Sequence, residues 1–163
     1  MNFQKYILIL LTLVLLSVGC TSTNFAKISI NEYLPKSESA VLPIFSGDSD
    51  LIYERIGVVF VYGGDTLTKE QINDSLRDQA GKVGADAIIF AKYKDIEPSR
   101  YFESFGSAFV DFNWAKKHGT GSWLMKGKPV GAGLAISHKD NLNTKKEENI
   151  NANRKTINDS SRK

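Results

Sequence analysis

Two stretches in the middle of the chain have the composition of buried β-strands. Residues 53–62 are mostly β-branched and aromatic, and Gly63-Gly64-Asp65 follows them. Residues 85–93 read Ala-Asp-Ala-Ile-Ile-Phe-Ala-Lys-Tyr. β-Branched and aromatic side chains favour strands, whereas glycine and aspartate favour the turns that end them. We therefore predict a strand over each stretch, the first of them buried on at least one face.

The segment between these strands has the period of an amphipathic helix. Thr68 and Gln71 have the spacing of a capping box, in which two side chains bind the free backbone N–H groups at a helix start. Apolar residues then recur on one face, at Ile72, Leu76, Ala80 and Val83. Gly84 lies where the residue that ends a helix is expected. Strand, helix and strand in succession predict a βαβ-like unit.

Weaker strand patterns lie on either side of this unit. Residues 121–125 and 130–137 are two short apolar stretches, and Lys126-Gly127-Lys128-Pro129 at their junction has the composition of a turn, which predicts a hairpin. Residues 41–45 predict a short edge strand. The fold class that follows is α/β of the α+β kind. We expect a small two-layer sandwich, a mixed sheet of four to five strands with one principal helix on a face.

The segment from Tyr101 to Trp114 is unusually rich in aromatic side chains. On a helix its phenylalanines would form one stripe, and on a strand residues 105, 107 and 109 would share one side, so both structures stay open. The aromatic side chains either complete the core or form an exposed patch for a protein partner or a membrane surface. This candidate interaction patch consists of Phe102, Phe105, Phe109, Phe112 and Trp114.

An apolar run from Tyr6 to Val18 follows a start that carries positive charge at Lys5 and at the α-amino group. At ~1.5 Å per helical residue, about 13 residues span about 20 Å, short of the roughly 30 Å hydrocarbon core of a bilayer. A secretory signal needs only a charged start, an apolar stretch of about 7–15 residues and small residues at the cleavage site. The pattern predicts an export signal over residues 1–19.

The end of this run, Leu16-Ser17-Val18-Gly19-Cys20, resembles the lipobox of bacterial lipoprotein signals. The resemblance implies cleavage between Gly19 and Cys20 and attachment of lipid to the Cys20 thiol. Two or more acyl chains on Cys20 would anchor the protein stably. Thr21 follows where an aspartate would retain an enterobacterial lipoprotein in the inner membrane. The resemblance therefore favours the outer membrane, with the protein facing the periplasm.

Composition divides the rest of the chain into three regions. We predict the lipidated Cys20 and a polar tether over residues 20–38, one small domain over 39–138 and a disordered polar tail over 139–163. The formal net charge of +3 is concentrated in the tail. The domain is close to neutral, and its charge gives no case for binding nucleic acid.

Short motifs in the domain have simple structural interpretations beside their chemical ones. Gly63-Gly64-Asp65 before a helix could hold an anion, but it lacks the P-loop ending and the dinucleotide pattern. Asp48, Asp50 and Glu54 could bind Ca²⁺ loosely, but they do not have the register of an EF-hand loop. We interpret both as turns.

The remaining polar residues do not form a catalytic or metal pattern. His118 and His138 lack a metal-ligand partner three or four residues away. Residues 137–140 contain a serine, a histidine and an aspartate, but neighbours on a strand point to opposite faces, and a triad needs geometry rather than adjacency. Cys20 is the single cysteine, so a disulfide and a second thiol function are excluded once it carries lipid. We expect no catalytic residue, metal or cofactor.

Residues 84–89, Gly-Ala-Asp-Ala-Ile-Ile, follow a capped helix and are similar to a motif of several small bacterial envelope proteins. These include the lipoprotein sensor of the Rcs envelope-stress system, uncharacterised lipoproteins and heavy-metal-binding-like domains. The resemblance covers roughly residues 53–94 and implies a related fold. The stress sensor is held by disulfides that a chain with one cysteine cannot form, so the resemblance does not extend to its signalling role.

Together these features predict an exported, lipid-anchored lipoprotein with a non-enzymatic binding, sensing or structural role in the cell envelope. The alternative is a small-ligand or metal-ion binding lipoprotein, and an enzyme is the third. The expected partners are the membrane, through lipid on Cys20, and another envelope protein.

Overall fold

The computed structural model describes residues 21–37, 41–106, 110–123 and 127–139. The predicted export signal, the lipobox with Gly19 and Cys20, and most of the predicted tail lie outside these residues. The strands are β1 (Ser22–Lys27), β2 (Tyr53–Tyr62), β3 (Ala87–Tyr93) and β4 (Gly131–His138), and the helices are α1 (Lys69–Lys82), α2 (Pro98–Glu103) and α3 (Phe112–Lys117).

The small α+β sandwich is confirmed, with one sheet of four strands in the order β1-β2-β4-β3. All three strand pairs are antiparallel, where the sequence predicts a mixed sheet. A parallel pair was expected between β2 and β3, the two strands of the βαβ-like unit. These strands do not pair with each other because β4 lies between them. Gly131 and Gly133 of β4 allow close packing, because a Cβ on either would lie within 2.4 Å of an isoleucine side chain on α1 or β3.

The central unit has the structure that its sequence predicts. β2 has the predicted bounds, and β3 begins two residues later than expected, at Ala87. The capping box of α1 is present, with the Thr68 side chain bound to the backbone of Gln71 and the reverse contact also made. Gly84 has a φ of +81°, the left-handed conformation that glycine adopts at little cost after a helix.

Both faces of the sheet are covered. Val59 and Val61 of β2 pack toward α1 and form one core with the apolar residues of that helix. Val58 and Phe60 point to the other face, where α2 and α3 lie. Burial on both faces explains why β2 is a continuous apolar run rather than an alternating one.

The prediction of a tether over residues 20–38 is wrong for its described part. Ser22 to Lys27 form strand β1, which pairs with β2 from Ser22↔Tyr62 to Lys27↔Gly57. Phe25 and Ala26 are buried in the core. The folded domain therefore begins by Ser22 and not at residue 39.

The predicted hairpin is half right. β4 is present, but residues 121–123 form a bend and a turn beside β1, and residues 124–126 lie outside the described residues. Gly121 has a φ of +105°, which a regular strand does not accept. The expected edge strand at 41–45 is reduced to a single bridge between Ile44 and Ile88.

Candidate functional site

The aromatic segment folds as two short helices, where the sequence left one helix or one strand open. α2 begins with Pro98, and proline favours the first turn of a helix. α3 is capped by Asp111, whose side chain accepts a hydrogen bond of 2.8 Å from the Trp114 backbone N–H. Residues 107–109 between the helices, including Phe109, lie outside the described residues.

The rings of this segment pack against Phe60 at the centre of β2. Tyr101 and Phe112 meet Phe60 edge-on, with ring centroids 6.0 and 6.3 Å away, and Trp123, from outside the segment, does so at 6.0 Å. Edge-to-face contacts of this kind stabilise aromatic cores beyond the area they bury. The segment therefore serves as the second core layer of the fold.

This packing removes part of the candidate interaction patch. Phe102 is 1% exposed and belongs to the core. Phe105, Phe112 and Trp114 are half-buried against that core. The four described members of the patch thus complete the hydrophobic interior, with part of three rings left at the surface.

The acidic and histidine residues singled out in the sequence are separated by the fold. Asp48 accepts a hydrogen bond of 2.7 Å from the Tyr53 hydroxyl, which lowers the pKa of its carboxyl. Glu54 accepts one of 2.9 Å from the Tyr33 hydroxyl. His118 stacks on Trp114 at 4.0 Å. The described residues contain no group of three or more such side chains placed to hold a metal ion.

Ser137, the serine of the triad-like residues 137–140, is bonded to Asp86 in a contact that connects parts of the fold. The Ser137 hydroxyl and the His138 backbone N–H each donate a hydrogen bond of 2.9 Å to Asp86. Lys36 forms an ion pair with the same carboxylate. Asp86 thereby joins the start of β3, the end of β4 and the segment that contains Lys36.

A cleft of about 590 Å³ opens at the other end of the sheet, where β2 and β3 finish and β4 begins. We call it the strand-end cleft. Its floor is apolar and consists of Leu67, Ile72, Tyr93, Pro129 and Val130. Its rim is charged and polar and consists of Gly64, Asp65, Lys69, Lys94, Asp95 and Lys128.

Tyr93 fixes the shape of the floor. Its hydroxyl donates a hydrogen bond of 2.5 Å to Asn73 of α1, and the Lys69 ammonium lies 4.8 Å from the centre of its ring. Burial raises the pKa of this hydroxyl. The ring therefore remains neutral at physiological pH and presents an apolar surface beside a cation.

The glycine motif contributes to the cleft through its turn and not through an anion cradle. Leu67 donates a backbone hydrogen bond to the Gly64 carbonyl, which closes a turn. At the start of α1 the backbone N–H groups of Thr68 and Gln71 are bound by each other's side chains. The lysine side chains of the rim are the positively charged groups that an anion in the cleft would meet.

A second cleft of about 560 Å³ runs along the outer side of α1. Its charges are neutralised within the fold, because Arg77 pairs with Asp74 and Lys82 pairs with Asp78. Lys36, which also lines it, pairs with Asp86. The strand-end cleft differs in that none of its lysines forms an ion pair with a carboxylate in the described part of the chain.

Sequence reasoning did not identify the strand-end cleft. Lys69, Lys94 and Lys128 are far apart along the chain and belong to no common motif. The available signal is that each lies within three residues of the end of a strand or helix. That signal becomes useful only when the strand order is known.

Protein-family models, curated proteins and solved structures show no significant match to this chain. Among the described residues no helix is long and apolar enough to cross a membrane.

Proposed function

We propose that this chain is an exported lipoprotein, held to an envelope membrane by lipid on Cys20, with a non-enzymatic binding role at the membrane surface. The lipobox of residues 16–20 supports the anchor, and Thr21 supports the outer membrane with the domain in the periplasm. One observation carries the binding role. The folded domain begins at Ser22, only two residues after Cys20.

This short connection determines what the anchor would do. Two residues of extended chain span at most about 7 Å. Lipid on Cys20 would therefore hold the Ser22 end of the sheet directly at the membrane, with no tether between them. A domain held in this way acts on ligands or partners that lie at the membrane surface.

Two side chains suited to acid–base chemistry, Asp86 and His118, are used to hold the fold together. Asp86 binds Ser137 and Lys36, and His118 stacks on Trp114. This use supports a binding role over catalysis. The second candidate, a small-ligand binding lipoprotein, is favoured by the strand-end cleft, whose volume is within the range of ligand sites.

Metabolic labelling with a radioactive or clickable fatty acid tests the anchor. We expect the wild-type chain to incorporate label and its processing to stop when globomycin inhibits the lipoprotein signal peptidase. Cys20→Ala should incorporate no label, because no other thiol is present. Ser17→Ala keeps the thiol and serves as the matched control. Label in the Cys20→Ala chain, or processing unaffected by the inhibitor, would overturn the proposal.

A further inference from the structure

The strand-end cleft combines an apolar floor with a cationic rim. Leu67, Ile72 and Val130 contribute aliphatic surface, whereas Lys69 and Lys128 contribute ammonium groups. Ligand sites are usually concave and apolar, with a few polar groups that fix the orientation of the ligand. A site with these two parts fits an amphiphilic anion, with its charge at the rim and its apolar part against the floor.

The three rim lysines are available to an outside anion. Lys69, Lys94 and Lys128 are exposed, and in the described ranges no carboxylate lies within ion-pair distance of any of them. Asp65 and Asp95 also line the rim, which leaves an excess of one positive charge. Lysine ammonium groups bind phosphate as point charges.

The backbone of the rim is in an uncommon conformation. Lys94 and Asp95 have φ angles of 67° and 47°, in the left-handed region that non-glycine residues seldom adopt. Residues in such conformations cluster at ligand sites, where the surrounding structure holds them. Here the Lys94 N–H donates a hydrogen bond of 3.2 Å to the Val130 carbonyl, so the two sides of the cleft are joined.

The cleft lies at the same end of the sheet as the proposed anchor. Ser22 pairs with Tyr62, Val61 pairs with Gly131, and Gly131 pairs with Tyr93 on the far side. Neighbouring strands are about 4.8 Å apart, so the whole row spans roughly 15 Å. Thr21 is also tied to this end, because the Ser75 hydroxyl of α1 donates a hydrogen bond of 3.1 Å to it.

We propose that the strand-end cleft binds the phosphate-bearing head group of an anionic phospholipid in the membrane that holds the protein. This inference rests on the proposed function, since lipid on Cys20 is what brings the cleft to the membrane surface. Lys69, Lys94 and Lys128 bind the phosphate, and Tyr93 and the aliphatic floor contact the glycerol and upper acyl carbons. The domain is then fixed in one orientation by two contacts, the lipid on Cys20 and the lipid in the cleft.

A free phosphate compound would satisfy the same lysines, so the experiment must separate the two sources. Processed lipoprotein is reconstituted into vesicles of phosphatidylcholine, with or without phosphatidylglycerol. Backbone hydrogen exchange is then followed by mass spectrometry at residues 63–67, 94–97 and 127–130. A third sample contains neutral vesicles with inorganic phosphate in solution.

We expect phosphatidylglycerol to slow exchange in these segments roughly fivefold. This is the change in an equilibrium that one lysine contact with an anionic membrane surface produces. Exchange at residues 48–52, at the opposite end of the sheet, should not change. A chain with Lys69→Gln, Lys94→Gln and Lys128→Gln should lose the effect. A control chain with Lys82→Gln, Lys117→Gln and Lys139→Gln has the same net charge and should keep it.

Three outcomes would overturn the inference. One is equal exchange in both kinds of vesicle. Another is an effect that survives in the cleft variant. The third is the same slowing by inorganic phosphate with neutral vesicles, which would assign the cleft to a soluble anion. The mass of the processed protein distinguishes these outcomes from a failure of the anchor. A processed chain whose mass shows no acyl groups would contradict the proposed function itself.

Discussion

Gly119 lies against the backbone of β1, where a side chain does not fit. A Cβ at this position would be 1.7 Å from the Phe25 carbonyl oxygen. Next to it, Thr120 and Phe25 exchange two backbone hydrogen bonds of 2.8 and 3.0 Å. These bonds cover the outer edge of β1, and they depend on the close approach that glycine allows.

We therefore expect Gly119→Ala to lower the free energy of unfolding by about 1–3 kcal/mol, the usual cost of forcing extra atoms into a packed site. Denaturant titration followed by circular dichroism measures this change. Gly47→Ala is the matched control, since nothing lies within 4 Å of its Cβ. Equal stability of the two variants would show that β1 does not require this contact.

The sequence was sufficient to predict the role of residues that interact with near neighbours in the chain. Thr68 and Gln71 form their capping box within one turn, and Gly84 ends the same helix. It could not predict the left-handed backbone of Phe90, whose carbonyl accepts a hydrogen bond of 2.6 Å from the Tyr101 hydroxyl. That conformation depends on a contact made by another element of the fold.

At the scale of the elements, the strands that were missed or misplaced are those whose burial comes from distant partners. β1 reads as a polar segment because Asn24 is one of its buried residues, and the Asn24 amide donates its hydrogen bond to Ser122 far along the chain. The reverse holds for residues 41–45, for which the sequence predicts a strand, whereas the structure places only irregular backbone bonds at residues 43–47. They bond irregularly to β3 and cover its edge, as exposed edges of sheets require.

Asp86 connects three segments of the fold, so its loss should cost more than the loss of an exposed ion pair. Its carboxylate is 8% exposed and accepts hydrogen bonds from two residues of β4 in addition to the ion pair with Lys36. Asp86→Ala leaves the Lys36 ammonium and the Ser137 hydroxyl without this partner. We expect thermal unfolding to show a loss of about 3–5 kcal/mol, typical of breaking a buried pair.

The exposed pair of Asp74 and Arg77 provides the control for this variant. Asp74 is 72% exposed, and removal of one partner of a pair in solvent costs roughly 0–1 kcal/mol. If Asp74→Ala and Asp86→Ala lower the unfolding temperature equally, Asp86 is not the junction of elements described above.

At the scale of the whole molecule, the corrected domain boundary matters most for function. A tether of residues 20–38 would let the domain move freely around the proposed anchor at Cys20. With β1 starting at Ser22, the two ends of the sheet are not equivalent. The strand-end cleft lies at the end where β1 begins at Ser22, and Leu51, 60% exposed, lies at the other.

The sequence contains the lipobox-like motif of the proposed anchor but does not reveal this orientation. Residues 16–20 are contiguous, so their pattern can be interpreted without a structure. The position of the cleft relative to Ser22 follows from the order β1-β2-β4-β3, and that order depends on contacts between strands far apart in the chain.

Energy transfer to an acceptor dye in the membrane tests this orientation most directly. A donor dye is attached through Thr66→Cys near the cleft or through Leu51→Cys at the far end, with Cys20 carrying lipid in both chains. β2 separates these positions by roughly 30 Å. We predict that the dye at residue 66 lies clearly nearer to the membrane. A flexible spacer inserted after Cys20 should reduce the difference. Equal distances for the two dyes, or a shorter one at residue 51, would contradict a domain held at the membrane by the Ser22 end of its sheet.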